Sequence, residues 1–475
     1  MAFELGPRSN GEYVPVPPSP SVREAVRRLR EHVRAQAPRH RMSRRRFLET
    51  LCGAASTLAL LAACDREEKR SRGEEPGGTF RVSTTATTDP DAAAEELSGD
   101  EFVFDVQTHL LDFDLSDSRA SGGFGMGFPY AACGEDDWRA CFGIDRWLEE
   151  LFVRSDTTVA VISAVPILTQ PNPLSIEVME AAREAAARVC GDERRVLLHG
   201  QVNPNVGPLE LALEGMRRLA ADHPIAAWKV YTHVPDERGW WLDDHDSEAV
   251  RCGQAFIDAV REVGPRVVCV HKGFGRRSRY SSPIDVGAAA AANPDVTFVV
   301  YHSGYDGPGE GPYVPDSPGD GIDRLLRSLD EAAVAPGSNV YAELGSTWWN
   351  AMRDPTEAAH VLGKLLSRLG EDRVLWGTDS IWYGSPQDQI QAFRTFEITE
   401  AFQDRYGYPA VTPTVKRKVF GLNAAALHGI EPAPQRCRAD VEAIEEYRAS
   451  LPPKSSYGPG TEREAIAVMA MHGMR

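Results

Sequence analysis

Side chains that can bind metals or move protons recur in this sequence directly after short apolar runs. The run at residues 103–107 leads to His109, with Gln107 two positions before that histidine. The other side chains that follow such runs are Lys229, His233, His271, His302, Glu343 and Asp379. A single histidine after a strand is more often structural than a ligand, but several imidazoles and a carboxylate at one place suit zinc. The pattern therefore predicts metal-assisted polar chemistry, provided that these side chains converge.

The elements that position them alternate regularly along the chain. Eight short runs rich in β-branched residues lie between residues 103 and 377, separated by segments of helical periodicity such as residues 174–191. This alternation predicts an α/β fold, a (β/α)8 TIM barrel over residues 101–430, in which the chemistry collects at the carboxyl ends of the strands. No glycine-rich phosphate loop follows the first run, which argues against a nucleotide-binding sheet.

Composition limits the class of protein and its partners. Hydrophobic residues make up 42% and charged residues 25% of the chain, so a sizeable core can form. The net charge of -17, without a stripe of Lys and Arg, argues against a nucleic-acid partner. The eight cysteines contain no CxxC pair, which argues against a structural zinc site. Cys133 and Cys141 either form a disulfide in an oxidising compartment or remain thiols.

Residues 1–64 are predicted to be an export leader. Residues 42–64 have a cationic start, an apolar stretch too short to span a bilayer comfortably, and small residues before Cys64. The residues that match the twin-arginine pattern for export of folded proteins are Ser43, Arg44, Arg45, Phe47 and Leu48. The ending at Cys64 also resembles a lipoprotein cleavage box. The alternatives are therefore a soluble periplasmic protein and a lipoprotein whose only membrane contact is its signal or lipid anchor.

Two further segments lack periodicity. Residues 65–100 are small and polar, which predicts a flexible linker between the leader and the barrel. Residues 431–475 are predicted to be a C-terminal tail that either docks on a neighbouring subunit of a homo-oligomer or remains loose.

Five segments of the sequence together resemble the amidohydrolase superfamily, in particular the branch that includes aminocarboxymuconate-semialdehyde decarboxylase and related metal-dependent hydrolases. The segments similar to its strand motifs are FDVQTHLLD, VVCVHKGFG, PDVTFVVYHSG and DRVLWGTDSIWYG, and the one similar to its closing helix is KVFGLNAAALHGI. The Gly-Thr-Asp element in DRVLWGTDSIWYG is the most specific match. The resemblance extends over residues 103–430 and leaves the leader and the tail outside.

The resemblance implies a set of functional residues. His109 and His271 are implied to bind one divalent metal ion, commonly zinc and alternatively manganese, with Asp379 completing the site. His302 is implied to be a catalytic acid–base or substrate-polarising group, and Asp379 to accept a proton from metal-activated water. Gln107 departs from the family pattern, which has His there or, in some decarboxylases, Glu. Its neutral amide is a weaker ligand, so we expect a weak metal ligand or a hydrogen-bonding neighbour of the ligands.

Residues near the predicted mouth are candidates for binding the substrate. Lys272 and Arg276 follow the strand that ends at His271, and their charges favour a small-molecule carboxylate, although a solvated loop would look the same. Trp240 could stack on a ring or could pack its loop against the barrel. Lys229 is expected to face the substrate or to be structural, rather than to bridge two metal ions.

The sequence thus predicts an exported metal-dependent hydrolase that attacks a lactone, ester or amide with metal-activated water. A non-oxidative decarboxylase of an aromatic or unsaturated acid is the enzymatic alternative. Gln107 also leaves open a lactonase that works without metal, with Asp379 as the base, and a non-catalytic binding protein with a decayed metal site.

Overall fold

The structure of the protein is a computed structural model, and the residues that it describes are 3, 5–6, 9–10, 12–117, 128–168, 170–191, 193–274, 278–316, 319–432, 437, 439–451, 463 and 466. The strands are β1 (Gly78–Phe80), β2 (Val103–Thr108), β3 (Thr157–Ile162), β4 (Val196–Gln201), β5 (Ile225–Tyr231), β6 (Val267–His271), β7 (Thr297–Tyr301), β8 (Val340–Glu343), β9 (Val374–Leu375) and β10 (Phe396–Ile398).

The helices lie mainly between the strands and before the first of them. The α-helices are α1 (Pro20–Gln36), α2 (Arg44–Leu48), α3 (Leu51–Ser71), α4 (Pro90–Leu97), α5 (Ile144–Leu148), α6 (Ile176–Cys190), α7 (Leu209–Asp222), α8 (Gly253–Val263), α9 (Val286–Ala292), α10 (Ile322–Glu331), α11 (Thr347–Ala351), α12 (Pro355–Leu369), α13 (Gln387–Thr395), α14 (Glu400–Tyr406), α15 (Pro413–Arg417), α16 (Asn423–His428) and α17 (Val441–Ser450). Turns of π-helix lie at Glu149–Val153 and Lys418–Leu422.

Strands β2 to β9 form the predicted barrel. They build one parallel sheet in sequential order, and the Thr108–Ser380 bridge joins its two ends. The backbone N–H of Val106 also donates to Trp376 O across this seam at 3.0 Å. The strands read as continuous apolar runs because helices cover the outside of the sheet. The prediction of a (β/α)8 TIM barrel is confirmed.

The first hundred residues, called the N-terminal region below, pack on the barrel as helices. Helix α3 lies along α1 and buries Leu58 completely, in the same apolar cluster that contains Leu325 of helix α10. Helix α2 carries the twin-arginine pattern and leaves Arg44 and Arg45 exposed, whereas Phe47 is buried. Among the described residues, no helix combines the length and the apolar character that crossing a membrane requires.

Residues 65–100 differ from the flexible linker that their composition predicts. Helix α3 runs through the first residues, β1 pairs antiparallel with β10, and α4 follows. The few apolar side chains are well placed, since Phe80 and Leu97 are buried against the barrel cluster. The polar residues supply caps, as Asp89 does by accepting hydrogen bonds from the N–H groups of the first turn of α4. Low hydrophobicity therefore did not prevent ordered packing here.

Two disulfides are present among the described residues. Of the two alternatives for Cys133 and Cys141, the structure has the disulfide. A second bond joins Cys190 at the end of α6 to Cys437, 247 residues later. It holds the beginning of the predicted tail against the barrel, and helix α17 packs beside it.

Candidate active site

Four side chains that the sequence singled out meet at the carboxyl end of the barrel. His109 follows β2, His271 ends β6, His302 follows β7 and Asp379 follows β9, and each is at most 2% exposed. The Nε2 atom of His109 lies 3.0 Å from Oδ1 of Asp379, and the ring centroids of His271 and His302 are 4.6 Å apart. The structure thus brings the predicted ligands and the predicted acid–base group into one buried cluster.

The backbone is strained at this cluster. His302, Ser346 and Asp379 have φ angles of 64°, 53° and 60°, a region that residues other than glycine rarely adopt. Such conformations persist only where the surrounding structure enforces them, and they concentrate at functional sites. Ser346 was not predicted because it follows β8 only after a turn of the chain.

Two of the imidazoles are oriented as metal ligands usually are. The Nδ1 atoms of His109 and His302 each lie 2.7 Å from a backbone carbonyl, of Ser163 and Gly345 respectively. A carbonyl can only accept, so each Nδ1 carries a proton; Nε2 of His302 then presents its lone pair to the cluster, whereas Nε2 of His109 faces Asp379 Oδ1 at 3.0 Å. Burial lowers the pKa of His302 to about 4, which keeps this imidazole neutral at pH 7.

Asp379 is the anionic centre of the site. Its Oδ1 accepts a hydrogen bond from Gln107 Nε2 at 3.0 Å, and its Oδ2 accepts from Ser346 Oγ at 2.5 Å and from Asn10 Nδ2 at 2.9 Å. Burial alone would raise the pKa of Asp379, but the hydrogen bond and charge of His109 together with the hydrogen bond from Ser346 lower it to about 2. Gln107 therefore lies in the site as a hydrogen-bond donor to Asp379.

The donor set fits a divalent metal ion. Several buried polar atoms have no hydrogen-bond partner among the described residues, including Gln107 Oε1, Lys229 Nζ, His271 Nδ1 and His302 Nε2. Polar atoms buried without partners are costly, and neutral imidazoles beside a carboxylate are what zinc or manganese coordinates. His271 and His302, with Glu12, are the described residues whose ligand atoms lie close enough to hold one ion, whereas of the predicted ligands His109 and Asp379 face each other at 3.0 Å.

Lys229 and Glu343 lie beneath this cluster, inside the barrel. Both are fully buried, and Lys229 Nζ stands 3.7 Å from the ring centroid of Tyr301 and 4.8 Å from that of Tyr231. Burial lowers the pKa of Lys229 to about 8 and raises the pKa of Glu343 to about 8. The carboxylate of Glu343 accepts a hydrogen bond from the backbone N–H of His302 at 3.0 Å, and this bond fixes the loop after β7.

Residues of the N-terminal region complete the mouth, and the sequence did not reveal them. Asn10 contacts Asp379, the carboxylate of Glu12 faces His271 and His302, and Tyr13 stacks on Phe274 at a centroid distance of 4.9 Å. Glu12, His271 and His302 offer ligand atoms within 4.8 Å of one another. The segment has no periodicity and precedes the leader motif, so no local signal placed it at the barrel.

The structure corrects the predicted substrate contact of Lys272 and shows which alternative holds for Trp240. Lys272 is buried in an ion pair with Asp285 at 2.9 Å and also donates to Tyr280 O, so its charge is satisfied inside the protein. Trp240 is buried and packs edge-on against Phe256, which is the packing alternative. His233 lies beside the ring of His271, at 4.7 Å between centroids. Arg276 lies outside the described residues.

Comparisons with known proteins find one matching family model and several partly similar solved structures. The Amidohydro_2 (amidohydrolase) family model matches residues 104–430, more than half of the chain. No curated protein sequence matches. Among solved structures, 5-carboxyvanillate decarboxylase from Sphingomonas paucimobilis is 15% identical, with 70% of this chain and 99% of that chain covered and a TM-score of 0.39.

Two other solved structures show a similar partial likeness. The manganese-bound 5-carboxyvanillate decarboxylase from Novosphingobium aromaticivorans is 14% identical, with 70% and 97% of the two chains covered and a TM-score of 0.41. An amidohydrolase 2 from Bifidobacterium longum subsp. infantis is 14% identical, with 70% and 100% covered and a TM-score of 0.33. With the family model matching from β2 to α16, the chain belongs to the amidohydrolase superfamily of enzymes.

Proposed function

We propose that the protein is a metal-dependent carboxy-lyase that releases carbon dioxide from a small aromatic or unsaturated carboxylic acid. The observation that carries the proposal is the fully buried ammonium group of Lys229 next to the histidine and aspartate cluster. Its Nζ has no hydrogen-bond partner within the described part of the chain. The Nζ contacts the rings of Tyr301 and Tyr231 but makes no hydrogen bond there, so an anionic ligand would supply the missing hydrogen-bonding partner.

His271 and His302, with Glu12 beside them, would hold the metal ion, and His109 and Asp379 lie in the same buried cluster. A divalent ion bound there supplies a fixed positive charge that orients a carboxylate and stabilises negative charge developing beside it. Asp379 stays in place because Gln107 and Ser346 donate to its two oxygens. Aromatic rings border the cluster, since Trp382 stacks on His109 at 5.1 Å and Phe274 lies 5.1 Å from His302. These surfaces suit a flat, conjugated acid.

In the proposed reaction the bond between the carboxyl carbon and its neighbouring carbon breaks. The electron pair remains on that neighbouring carbon, carbon dioxide leaves, and the Lys229 ammonium delivers the proton that forms the new C–H bond. Solvent then reprotonates Lys229. The reaction consumes no water molecule as a nucleophile, which agrees with a cluster in which the histidines and Asp379 are at most 2% exposed.

Hydrolysis by metal-activated water is the second candidate. The observation that favours it is the Asp379 carboxylate, which lies 3.0 Å from His109 Nε2, where it could accept a proton from bound water. We rank it second because both Asp379 oxygens already accept hydrogen bonds, which makes them weaker proton acceptors.

The test loads the full chain with Mn²⁺ or Zn²⁺ and measures labelled carbon dioxide from 2-hydroxybenzoate and hydroxycinnamate, alongside hydrolysis of aryl esters and lactones. We expect Lys229→Met to lower carbon dioxide release by about 10²–10⁴-fold, a typical loss for a proton donor. Lys416→Met is the matched control, because Lys416 is also buried but donates to Arg394 O at 2.7 Å. Hydrolysis without carbon dioxide release would favour the second candidate.

We also propose that the protein is exported by the twin-arginine route, as a soluble periplasmic protein or a lipoprotein. The exposed Arg44 and Arg45 and the two disulfides support this, since disulfides persist in oxidising compartments. Replacing both arginines by lysine should leave the protein in the cytoplasmic fraction. Periplasmic recovery of that variant would refute the route.

A further inference from the structure

The N-terminal region places a carboxylate and an aromatic ring side by side in the mouth of the barrel. Oε1 of Glu12 lies 3.6 Å from His271 Nδ1, and Oε2 lies 3.9 Å from His302 Nε2. These distances exceed those of hydrogen bonds. They agree with groups that share one ion at about 2.1 Å each, because such ligands lie roughly 3.3–4.2 Å from one another. Glu12 thus stands where a substrate carboxylate could reach a metal ion.

The next residue supplies the ring. Tyr13 is 8% exposed and stacks on Phe274, with centroids 4.9 Å apart and planes inclined by 23°. Its hydroxyl lies 3.3 Å from that of Tyr383. Phe274 in turn borders His302, so the Tyr13 ring lies on one of the aromatic surfaces that suit a substrate ring.

Asn10 ties this arrangement to the site. Its Nδ2 donates to Glu12 Oε2 and to Asp379 Oδ2, both at 2.9 Å. The connection from Tyr13 to helix α1 carries exposed apolar residues, Val14 at 69% and Val16 at 44%. Asn10, Glu12 and Tyr13, called the plug below, are therefore held by the site itself and joined to α1 by a weakly packed link.

We infer that the plug is an intramolecular mimic of the substrate, in which Glu12 and Tyr13 fill the places of the carboxylate and the ring of an aromatic acid. This inference rests on the proposed function, because it names the acid that the site takes. A tethered ligand competes at a millimolar effective concentration, so free substrate must displace the plug.

The experiment measures binding of 2-hydroxybenzoate to the Mn²⁺-loaded full chain by calorimetry, and the affinity for Mn²⁺ by equilibrium dialysis. We expect Glu12→Gln and Tyr13→Ala each to tighten 2-hydroxybenzoate binding about tenfold by weakening the competitor. Glu12→Gln should also weaken Mn²⁺ binding about tenfold, whereas Tyr13→Ala should leave it unchanged. Glu31→Gln is the matched control, since Glu31 is an exposed carboxylate on α1.

The outcomes separate this inference from the proposed function. If both variants bind 2-hydroxybenzoate as the unaltered chain does, the plug is not a substrate mimic. Weaker Mn²⁺ binding without tighter acid binding would make Glu12 a permanent ligand and would equally overturn the mimicry. Absence of carbon dioxide release from every acid, with acid binding still tightened, would refute the proposed function alone.

Discussion

The barrel and the N-terminal region meet at one mouth but hold their side chains there differently. His302 follows a strand, its Nδ1 is fixed by a carbonyl, and its backbone is strained. Glu12 lies on a segment without regular secondary structure and faces His271 and His302 at distances longer than hydrogen bonds. The barrel thus fixes its site residues through its own backbone, whereas the N-terminal region adds side chains at longer distances, as the proposed plug requires.

The N-terminal region also contains a helix, α3, that is packed like a core element. Helix α3, which contains the apolar part of the predicted export signal, buries Leu58 and Cys64. A signal that is cleaved or lipidated must leave such a position, whereas a core helix must stay. Substitutions made separately in the barrel and in the N-terminal region therefore test whether α3 can be removed or is part of the folded core.

The largest expected effect is on the barrel side. Asp379→Asn keeps the size of the side chain but removes the negative charge beside His109, so metal binding and carbon dioxide release should both fall by roughly 10²–10³-fold. Dialysis with elemental analysis measures the metal binding, and the labelled-acid assay measures the carbon dioxide release. Asp295→Asn, an exposed residue paired with Arg261, is the control. A rate within threefold of the unaltered chain would show that Asp379 is dispensable.

The next effect tests whether α3 is a core helix. Leu58→Ala should lower the free energy of unfolding by about 2–5 kcal/mol, as Leu325→Ala in the barrel should, because both side chains are fully buried. Urea unfolding of the full chain measures it. Leu211→Ala is the control, since Leu211 is 66% exposed. A loss for Leu325→Ala alone would mean that α3 does not contribute to the core.

Repetition explains why the barrel was predictable. The run at residues 297–301 alone could belong to a buried helix or a strand, but eight such runs at regular spacing leave few folds. The same logic located His271, His302 and Asp379, because the carboxyl ends of parallel strands share one rim. Ser346 escaped because a turn with positive φ brings it back to Asp379.

The other differences arise from tertiary partners that a local pattern does not contain. Lys272 looked like a substrate contact, but Asp285, in the next helical segment, neutralises it in the core. Glu12 reaches His271 from the far end of the chain, without any periodicity that would indicate burial. The apolar stretch of α3 suits both an export signal and a packed helix, so hydropathy alone could not decide between them.

A smaller effect depends on pH and again concerns α3. Burial, reinforced by the neighbouring Asp354, raises the pKa of Asp65 to about 7 from 3.8. A raised folded-state pKa means that the folded protein holds the proton more tightly, so stability is fullest below pH 4 and declines as the pH rises to 7. Asp65→Asn removes this titration and can still accept the hydrogen bond from Thr356 Oγ1.

Relative to the unaltered chain, Asp65→Asn should therefore gain stability between pH 4 and 7, by at most about 1.4 kcal/mol per pH unit. Urea unfolding at several pH values measures the difference. The same gain at every pH would show that Asp65 titrates normally, as it would if α3 were detached from the barrel.

The smallest effect concerns how Gln107 and Glu12 share the metal site. Gln107→His replaces a neutral amide by an imidazole, so the dissociation constant for Mn²⁺ should fall by about tenfold or less. If Glu12 occupies a position on the ion, the gain should be larger in the Glu12→Gln background, where that position is free. A double-mutant cycle of the four Mn²⁺ affinities measures this coupling. Additive effects would place the two side chains on separate parts of the site, and Gln107 would remain only a hydrogen-bond donor to Asp379.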